Sequence, residues 1–259
     1  MKHKLPHELS DIIEDIRITA ALLSDKGWSE AGGGNISIRV RVDFPTQNAK
    51  RHSLPFPVSA LKEKTILITR SGSRMREMAV NPEKGLCLMR IESDGSGYWI
   101  YPKDAHPTTE LFSHLLVQGY LLEESPEYGT VLHTQPTAVV ALTHILKPSV
   151  IQRIDQALFR MHPETAVLIP ERTVILPYEV PGTIRLATIT AEAIRGRRIV
   201  IWEKHGTISV GKSLSEAVDY VEVIEKAAEI YLAVRSTGNE PMGISDKDIK
   251  RTLSVFGLE

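Results

Sequence analysis

Helical and extended sequence patterns alternate along the whole chain, and this alternation is typical of an α/β fold. From Leu9 to Leu23, apolar residues recur at intervals of three and four, which predicts an amphipathic helix that ends near Lys26-Gly27. Further helices are predicted over residues 111–117, 137–146, 184–195 and 215–235. Strands are predicted over residues 36–40, 65–69, 97–101, 167–170, 173–176, 199–202 and 207–210, with another that ends at His133.

The sequence offers no obvious place to divide the chain. It contains no internal repeat, low-complexity tract or linker, so one domain over residues 1–259 is predicted. The polar, proline-containing stretch 43–57 indicates a surface loop. Thr108 or Thr109 is the expected cap of the helix that follows them.

Composition excludes several classes of protein. A formal net charge of −1 gives no basic footprint for nucleic acid, and no apolar run of 18 residues is present to span a membrane. The first 15 residues mix charged and apolar side chains rather than forming a signal peptide, so a cytoplasmic protein is expected. The single cysteine, Cys87, cannot form an internal disulfide and is expected to be a buried thiol.

The segment Val131-Leu132-His133-Thr134-Gln135-Pro136 resembles part of a metal site when it is considered with His205. Residues at i and i+2 of a strand project to the same side, so His133 and Gln135 could chelate one ion while Thr134 faces away. A later imidazole, His205, would complete a three-ligand set with one open position. An amide oxygen is a weaker donor to zinc than imidazole, so Gln135 should lower the affinity or abolish binding.

A purely structural interpretation of the same residues is also available. His133 could be a hydrogen-bonded core histidine, and His205 could cap a turn. Isolated histidines are common, so on these residues alone the structural interpretation is favoured.

Three clusters of small residues suit an anionic phosphate. The turn Gly33-Gly34-Asn35, the pair Ser71-Gly72 and the pair Thr108-Thr109 offer backbone N–H groups with short polar side chains. Each cluster taken singly is more often an ordinary turn or helix cap. No glycine-rich nucleotide fingerprint is present, so a nucleotide is not indicated.

Together, these motifs resemble in order those of the class II sugar-phosphate aldolases of the aldolase/adducin superfamily. The shared motifs are Gly33-Gly34-Asn35, Arg70-Ser71-Gly72, Pro107-Thr108-Thr109-Glu110, Val131 to Pro136, and Lys204-His205-Gly206. The insertion between the first two motifs, together with residues 93–98, favours the rhamnulose branch over the fuculose branch. The resemblance spans nearly the whole chain and implies a central, mostly antiparallel β-sheet with helices on both faces.

The resemblance also implies roles for individual residues. His133 and His205 correspond to two of three zinc ligands, and Gln135 stands in place of the third. Glu110 corresponds to the catalytic carboxylate that moves a proton, beside an ion that acts as a Lewis acid. The phosphate of the substrate is expected to contact Gly34, Asn35, Ser71, Gly72, Thr108 and Thr109. Glu164 resembles a second catalytic acid that enters the site from a neighbouring subunit of a homotetramer.

The implied reaction is metal-dependent cleavage of a sugar phosphate, L-rhamnulose 1-phosphate, to dihydroxyacetone phosphate and L-lactaldehyde. The implied cofactor is Zn²⁺ or another divalent ion. Two alternatives remain: epimerisation of a pentulose phosphate on the same fold, against which Glu110 counts, and a non-enzymatic homologue. Gln135 is the one residue that supports the second alternative, whereas the phosphate motifs and Glu110 oppose it.

Overall fold

The computed structural model describes residues 5–45, 47–145 and 158–258. Its helices are α1 (Ser10–Asp25), α2 (Met75–Met78), α3 (Leu111–Glu124), α4 (Thr137–His144), α5 (Pro163–Leu168), α6 (Ile184–Ala193), α7 (Leu214–Ser236) and α8 (Asp246–Val255). Its strands are β1 (Asn35–Val40), β2 (Lys50–Ser53), β3 (Thr65–Thr69), β4 (Leu86–Ile91), β5 (Gly97–Tyr101), β6 (Thr130–Thr134), β7 (Ile175–Leu176), β8 (Ile199–Trp202) and β9 (Gly206–Gly211).

The strands form one sheet in the order β2-β5-β4-β3-β1-β6-β9-β8-β7. Every neighbouring pair is antiparallel except β7 with β8, which are parallel. In the middle of the sheet, β1 pairs with β6 so that Asn35 lies opposite His133. The expected mixed α/β fold with a mostly antiparallel sheet is confirmed.

Helices cover both faces of the sheet, as expected. On one face α1, α4 and α7 enclose a core that includes Ile36 of β1 and Leu132 of β6. On the other face α3 and α6 pack together over a core that includes Val131. Because side chains alternate along a strand, Asn35 and His133 face the α3 side. The sheet thus presents polar side chains to α3.

Helix α7 shows how local sequence sets an element boundary. Ser213 accepts a hydrogen bond from the backbone N–H of Glu216 at 3.1 Å, and the Glu216 carboxylate accepts one from Lys212 N–H at 2.6 Å. These reciprocal bonds satisfy backbone donors that the first turn leaves free. The helix begins one residue earlier than the sequence pattern predicted, and Val221 and Ile224 are buried against the sheet.

Several element predictions were wrong or incomplete. The stretch 43–57 is not all loop, because it contains β2, which pairs with β5. Residues 167–170 do not form a strand: Val167 and Leu168 end α5. The N-cap of α3 is Glu110, with no side-chain cap bond, instead of Thr108 or Thr109. Sequence analysis also missed β4, α2 and α8, and the predicted end of α4 at Leu146 lies outside the described residues.

Two further expectations concern burial and membranes. Cys87 is buried as predicted, and burial raises the pKa of its thiol to about 12, so it is an unreactive core residue. Among the described helices, none has the length and apolarity needed to cross a membrane.

Candidate metal and substrate site

Three side chains from separate parts of the chain converge at the α3 face of the sheet. His133 lies in β6, His205 lies in the turn between β8 and β9, and Glu110 directly precedes α3. Their candidate donor atoms all lie within 4.8 Å of one another. Glu110 Oε2 is 3.4 Å from His133 Nε2, and Glu110 Oε1 is 3.2 Å from His205 Nε2. The structure therefore brings together all three residues that the sequence analysis singled out.

A hydrogen bond at His133 Nδ1 determines the state of Nε2, the ring nitrogen that faces Glu110. Its Nδ1 lies 2.9 Å from the carbonyl oxygen of Thr207, which can only accept, so Nδ1 carries the proton. In the neutral ring, the lone pair of Nε2 therefore points toward the Glu110 carboxylate. Two acceptors facing each other in a buried site are stabilised by a cation between them, and this orientation is typical of metal-binding histidines.

Trp202 supports both imidazoles from one side. Its ring centroid is 4.8 Å from that of His133 and 4.9 Å from that of His205, with the His205 ring stacked at an interplanar angle of 25°. The indole N–H donates to Thr190 Oγ1 at 2.9 Å, which holds the ring in place. The Trp202 ring therefore restricts the movement of both histidines.

Burial and neighbouring groups favour the ionised form of Glu110 and the neutral form of His133. Burial opposes ionisation of Glu110, but the neighbouring His133, the hydrogen bonds from His205 and Asn35, and the charge of His205 outweigh it and lower the pKa to about 2. Burial lowers the pKa of His133, which favours its neutral form. A carboxylate beside a neutral imidazole is the donor set that a divalent cation requires.

Gln135 lies at the end of β6 with an unsatisfied amide oxygen. Its Oε1 is buried and has no hydrogen-bond partner among the described residues. A Cβ placed on Gly206 would be 3.2 Å from Gln135 Cγ and 3.1 Å from His133 Cε1, so both side chains flank that glycine. Thr134 points the other way and donates to Trp28 O at 2.6 Å. His133 and Gln135 thus lie on the same side of Gly206 while Thr134 points away, and the joint binding of an ion by His133 and Gln135 stays a prediction.

Two of the predicted phosphate contacts lie beside the carboxylate. Gly34 adopts a φ of 77°, which a residue with a Cβ rarely tolerates, and leads into Asn35. Asn35 is buried and donates from Nδ2 to Glu110 Oε2 at 2.8 Å. Thr108 is also buried, and its Oγ1 accepts from Glu110 N–H at 3.3 Å. Thr109 is exposed beside this pair.

Ser71 and Gly72 line a cavity of about 740 Å³. Its wall also carries four cationic side chains, namely Arg70, Arg74, Arg76 and Lys84. Arg74 is partnered by the exposed Glu77 at 3.2 Å, whereas Arg70 reaches Asp104 only at 4.0 Å. The excess of positive charge suits an anion, although Glu110 and the two histidines do not line this cavity.

Glu164 lies away from these residues within one chain. It is exposed on α5, accepts a hydrogen bond from His162 Nδ1 at 2.7 Å, and lines a cavity of about 440 Å³ with Trp28 and Glu222. Neither Glu110 nor the histidine pair contributes to that cavity. Its entry into a neighbouring subunit's site stays a prediction.

A buried polar network behind Asn35 was missed by the sequence analysis. His114 and Gln118 of α3 and Ser37 of β1 are fully buried, and both helix residues are hydrogen-bonded to Ser37 Oγ. The sequence did contain a signal, because Glu110, His114 and Gln118 recur at intervals of four and share one face of a helix. Polar residues on a buried helix face require partners, and here the partners lie on β1.

The chain is similar in sequence to known proteins. The family model described as "Class II Aldolase and Adducin N-terminal domain" matches residues 14–232. A rhamnulose-1-phosphate aldolase from Bacteroides thetaiotaomicron is 31% identical over 261 residues, covering 96% of this chain and 96% of that protein. The corresponding aldolase from Enterococcus faecalis is 31% identical over 257 residues, covering 95% and 91%.

Solved structures show the same architecture. A sugar-phosphate aldolase from Thermotoga maritima superposes with a TM-score of 0.80 at 33% identity, covering 91% of this chain and all of that one. An L-fuculose 1-phosphate aldolase superposes with a TM-score of 0.67 at 19% identity, over 99% of this chain and 100% of that one, which supports the fold alone.

Proposed function

Because the chain belongs to the class II aldolase and adducin family, we propose that it cleaves L-rhamnulose 1-phosphate to dihydroxyacetone phosphate and L-lactaldehyde. It is a class II aldolase, a metal-dependent carbon–carbon lyase. The observation that carries the proposed substrate is the likeness to rhamnulose-1-phosphate aldolases over nearly the full length of the chain, together with the converged Glu110, His133 and His205.

The residues present fit a divalent cation. Ligand atoms about 2.1 Å from a tetrahedral zinc ion lie roughly 3.4 Å from one another. The carboxylate of Glu110 lies at nearly this separation from the Nε2 atoms of His133 and His205, 3.4 Å and 3.2 Å away. We propose that these two imidazoles hold Zn²⁺ or another divalent ion and that the unpartnered Gln135 Oε1 is the third protein ligand. When bound, the ion supplies Lewis-acid polarisation of the substrate oxygens.

In the proposed reaction, Glu110 transfers the proton. Its lowered pKa keeps the carboxylate ionised near neutral pH, and in the proposed reaction this carboxylate takes the proton of a substrate hydroxyl or returns one to carbon. Asn35 holds Oε2 by a hydrogen bond, which fixes the direction from which the carboxylate acts. A glutamate that is strongly tied to a cation is a poor base, so we assign the third ligand position to Gln135 and the proton transfer to Glu110, whose carboxylate lies beside the two imidazoles.

The phosphate of the substrate is proposed to lie between the two polar turns. Gly34 and Asn35 approach from the sheet, and Thr108 and Thr109 precede α3. Ser71 and Gly72 face the cationic cavity, where Arg70 adds positive charge. Backbone N–H groups and short side chains in such turns bind phosphate oxygens and do not recognise the rest of the ligand.

Assembly and location are part of the same proposal. Glu164 is exposed in one chain and would act only in the site of a neighbouring subunit, which requires an oligomer, for which we propose a homotetramer. We also propose a cytoplasmic location, where the sugar phosphate would be available.

The direct test is release of dihydroxyacetone phosphate from L-rhamnulose 1-phosphate by zinc-loaded protein, measured beside Gln135→His. Cleavage by the unaltered protein supports the proposal and makes Gln135 an accepted ligand variation. Cleavage by Gln135→His alone would show that the natural chain has lost this chemistry. A parallel assay with a pentulose 5-phosphate distinguishes epimerisation, which would interconvert the sugar without releasing dihydroxyacetone phosphate.

A further inference from the structure

A continuous chain of buried hydrogen bonds runs from Arg39 to the carboxylate of Glu110. Arg39 Nη1 donates to Gln118 Oε1 at 3.1 Å, and Gln118 Nε2 donates to Ser37 Oγ at 3.1 Å. Ser37 Oγ lies 2.8 Å from His114 Nδ1, and His114 Nε2 lies 2.5 Å from Asn35 Oδ1. Asn35 Nδ2 completes the chain at Glu110 Oε2, 2.8 Å away.

The outer end of this chain fixes the orientation of the Gln118 amide. Besides Ser37 Oγ, Gln118 Nε2 faces the carbonyl oxygens of Ser37 and Gly129 at 3.2 and 3.0 Å, and carbonyls can only accept. The amide of Gln118 therefore cannot flip. Ser37 Oγ can accept from Gln118 and still offer its own hydrogen to His114 Nδ1. This outer end of the chain is therefore compatible with an unprotonated Nδ1.

The inner end of the chain determines the tautomer of His114. Asn35 Nδ2 lies 2.8 Å from Glu110 Oε2 and Asn35 Oδ1 lies 2.5 Å from His114 Nε2, so the amide presents its N–H₂ group to the carboxylate and its oxygen to the ring. His114 Nε2 must then donate. Burial lowers the pKa of His114 to about 4, which keeps the ring neutral with one proton for this bond. The inner end of the chain thus assigns the proton to Nε2, and the outer end is compatible with that assignment.

We propose that His114 is a positioning residue for the site: held as the Nε2–H tautomer, it prevents Asn35 from flipping and so keeps an N–H donor against Glu110. A flipped Asn35 would place its oxygen against the carboxylate, which would disfavour ionisation and reorient Glu110. Among the described residues, no hydrogen bond joins His114 to the candidate ligands His133 and His205. The effect of His114 on turnover rests on the proposed function. The tautomer of His114 and its effect on cation binding do not.

A matched pair of amide substitutions separates positioning from general packing. In His114→Gln, the amide nitrogen reaches the position of Nε2 and can still donate to Asn35. In His114→Asn, the shorter side chain reaches only the position of Nδ1, so the bond to Asn35 is lost. Glu110 lies 3.4 and 3.2 Å from the Nε2 atoms of the two candidate histidine ligands, so its orientation affects a cation held there although it is not assigned as a ligand. Loss of an outer-shell partner costs about 10- to 100-fold in metal affinity or activity, and we expect that loss in His114→Asn and only a few-fold change in His114→Gln.

Three measurements test this on the full-length protein. Zinc affinity is measured by competition with a chromophoric chelator, kcat and KM are measured for aldol cleavage, and the tautomer of His114 is read from ¹⁵N chemical shifts of the unaltered protein. Support requires the Nε2–H tautomer together with weaker zinc binding in His114→Asn than in His114→Gln. An Nδ1–H tautomer, an imidazolium at neutral pH, or equal zinc affinity in the two variants overturns the proposal.

The readouts remain informative if one assay fails. If the unaltered protein binds zinc but cleaves no rhamnulose 1-phosphate, the proposed substrate is wrong while the tautomer and affinity results still decide the role of His114. If His114→Asn does not fold, the tautomer of the unaltered protein still decides between the two orientations of Asn35.

Discussion

Gln135 and Gly33 approach so closely that a Cβ on residue 33 would lie 2.2 Å from Gln135 Oε1. A side chain at residue 33 would therefore displace the end of the Gln135 side chain, and no left-handed backbone restricts this position. The turn that precedes the predicted phosphate contacts and the residue that replaces a metal histidine are thus in direct contact.

Gly33→Ala should destabilise the protein by about 1 kcal/mol, the low end of the cost of an added methyl group, because the flexible end of the Gln135 side chain can move away. The free energy of unfolding in urea measures the effect, and a double-mutant cycle with Gln135→Ala should recover most of it. Gly32→Ala is the matched control, since its Cβ would meet Ser73 O at an ordinary 3.6 Å. Equal losses at both glycines would contradict this explanation.

Gln135→His should tighten zinc binding on the order of 100-fold, because the free energy of binding a four-ligand zinc site is roughly 10–16 kcal/mol, or a few kcal/mol per ligand. Chelator competition measures the change directly and does not depend on turnover. Gln135→Leu, which removes the amide oxygen at similar volume, should bind zinc more weakly than the unaltered protein. If Gln135→Leu binds zinc unchanged, Gln135 is not a ligand.

Glu110→Gln should lower kcat by about 10²- to 10⁴-fold, the usual contribution of a general acid–base group, with a smaller change in KM. The amide keeps the shape of the side chain but cannot accept a proton. Glu123→Gln, at an exposed position of the same helix α3, is the control and should have normal kinetics. Unchanged kcat in Glu110→Gln would remove this residue from the mechanism.

Acid should destabilise the metal-free protein through His114. Its pKa is about 4 in the folded state and 6.5 in a model peptide, so between these values the unfolded chain binds a proton that the folded chain does not. Stability therefore falls as the pH falls, by about 2 kcal/mol between pH 7 and pH 5. Urea unfolding at both pH values should show a smaller difference for His114→Gln, whereas His144→Gln, at an exposed position, should not alter it.

Glu225→Gln should destabilise the segment that carries Gln135. The buried carboxylate of Glu225 accepts from Ala138 N–H and Val139 N–H, both at 2.9 Å, at the start of α4. An amide can accept with one oxygen only and turns its own N–H₂ toward the other donor, so a loss of about 1–3 kcal/mol is expected. Glu229→Gln, at an exposed position of the same helix, is the control. An equal loss of stability there would contradict the role given to the Glu225 carboxylate.

Much of the fold could be predicted from local sequence because its helices and central strands have clear periodicity. The helix from Ser10 and the strand ending near His133 were predicted close to their observed bounds. The strand Lys50–Ser53 was missed because its four residues are charged or polar, and pairing with β5 at the sheet edge, rather than an apolar pattern, defines it. The segment 167–170 is apolar over too short a length to distinguish a strand from a helix end.

The residues of the site could be predicted from the sequence, but the hydrogen bonds that join them could not. Glu110, His133 and His205 could be singled out from family motifs, and the structure brings them together. The bond from Asn35 to Glu110 joins residues on different elements, so no local pattern could reveal it. His114 was overlooked for the same reason, since an apparently ordinary helix residue gains its role from the strand opposite.

The order of the strands has a consequence for how the enzyme matures. Glu110 and His133 are supplied by the middle of the chain, while His205 follows β8, and β6 forms its second ladder with β9. During synthesis the ribosome must release the hairpin of β8 and β9 before the third side chain can join the other two. A chain truncated before residue 205 would therefore carry Glu110 and His133 but lack the third side chain of the cluster. The three side chains can meet only after β8 and the turn that follows it have been synthesised.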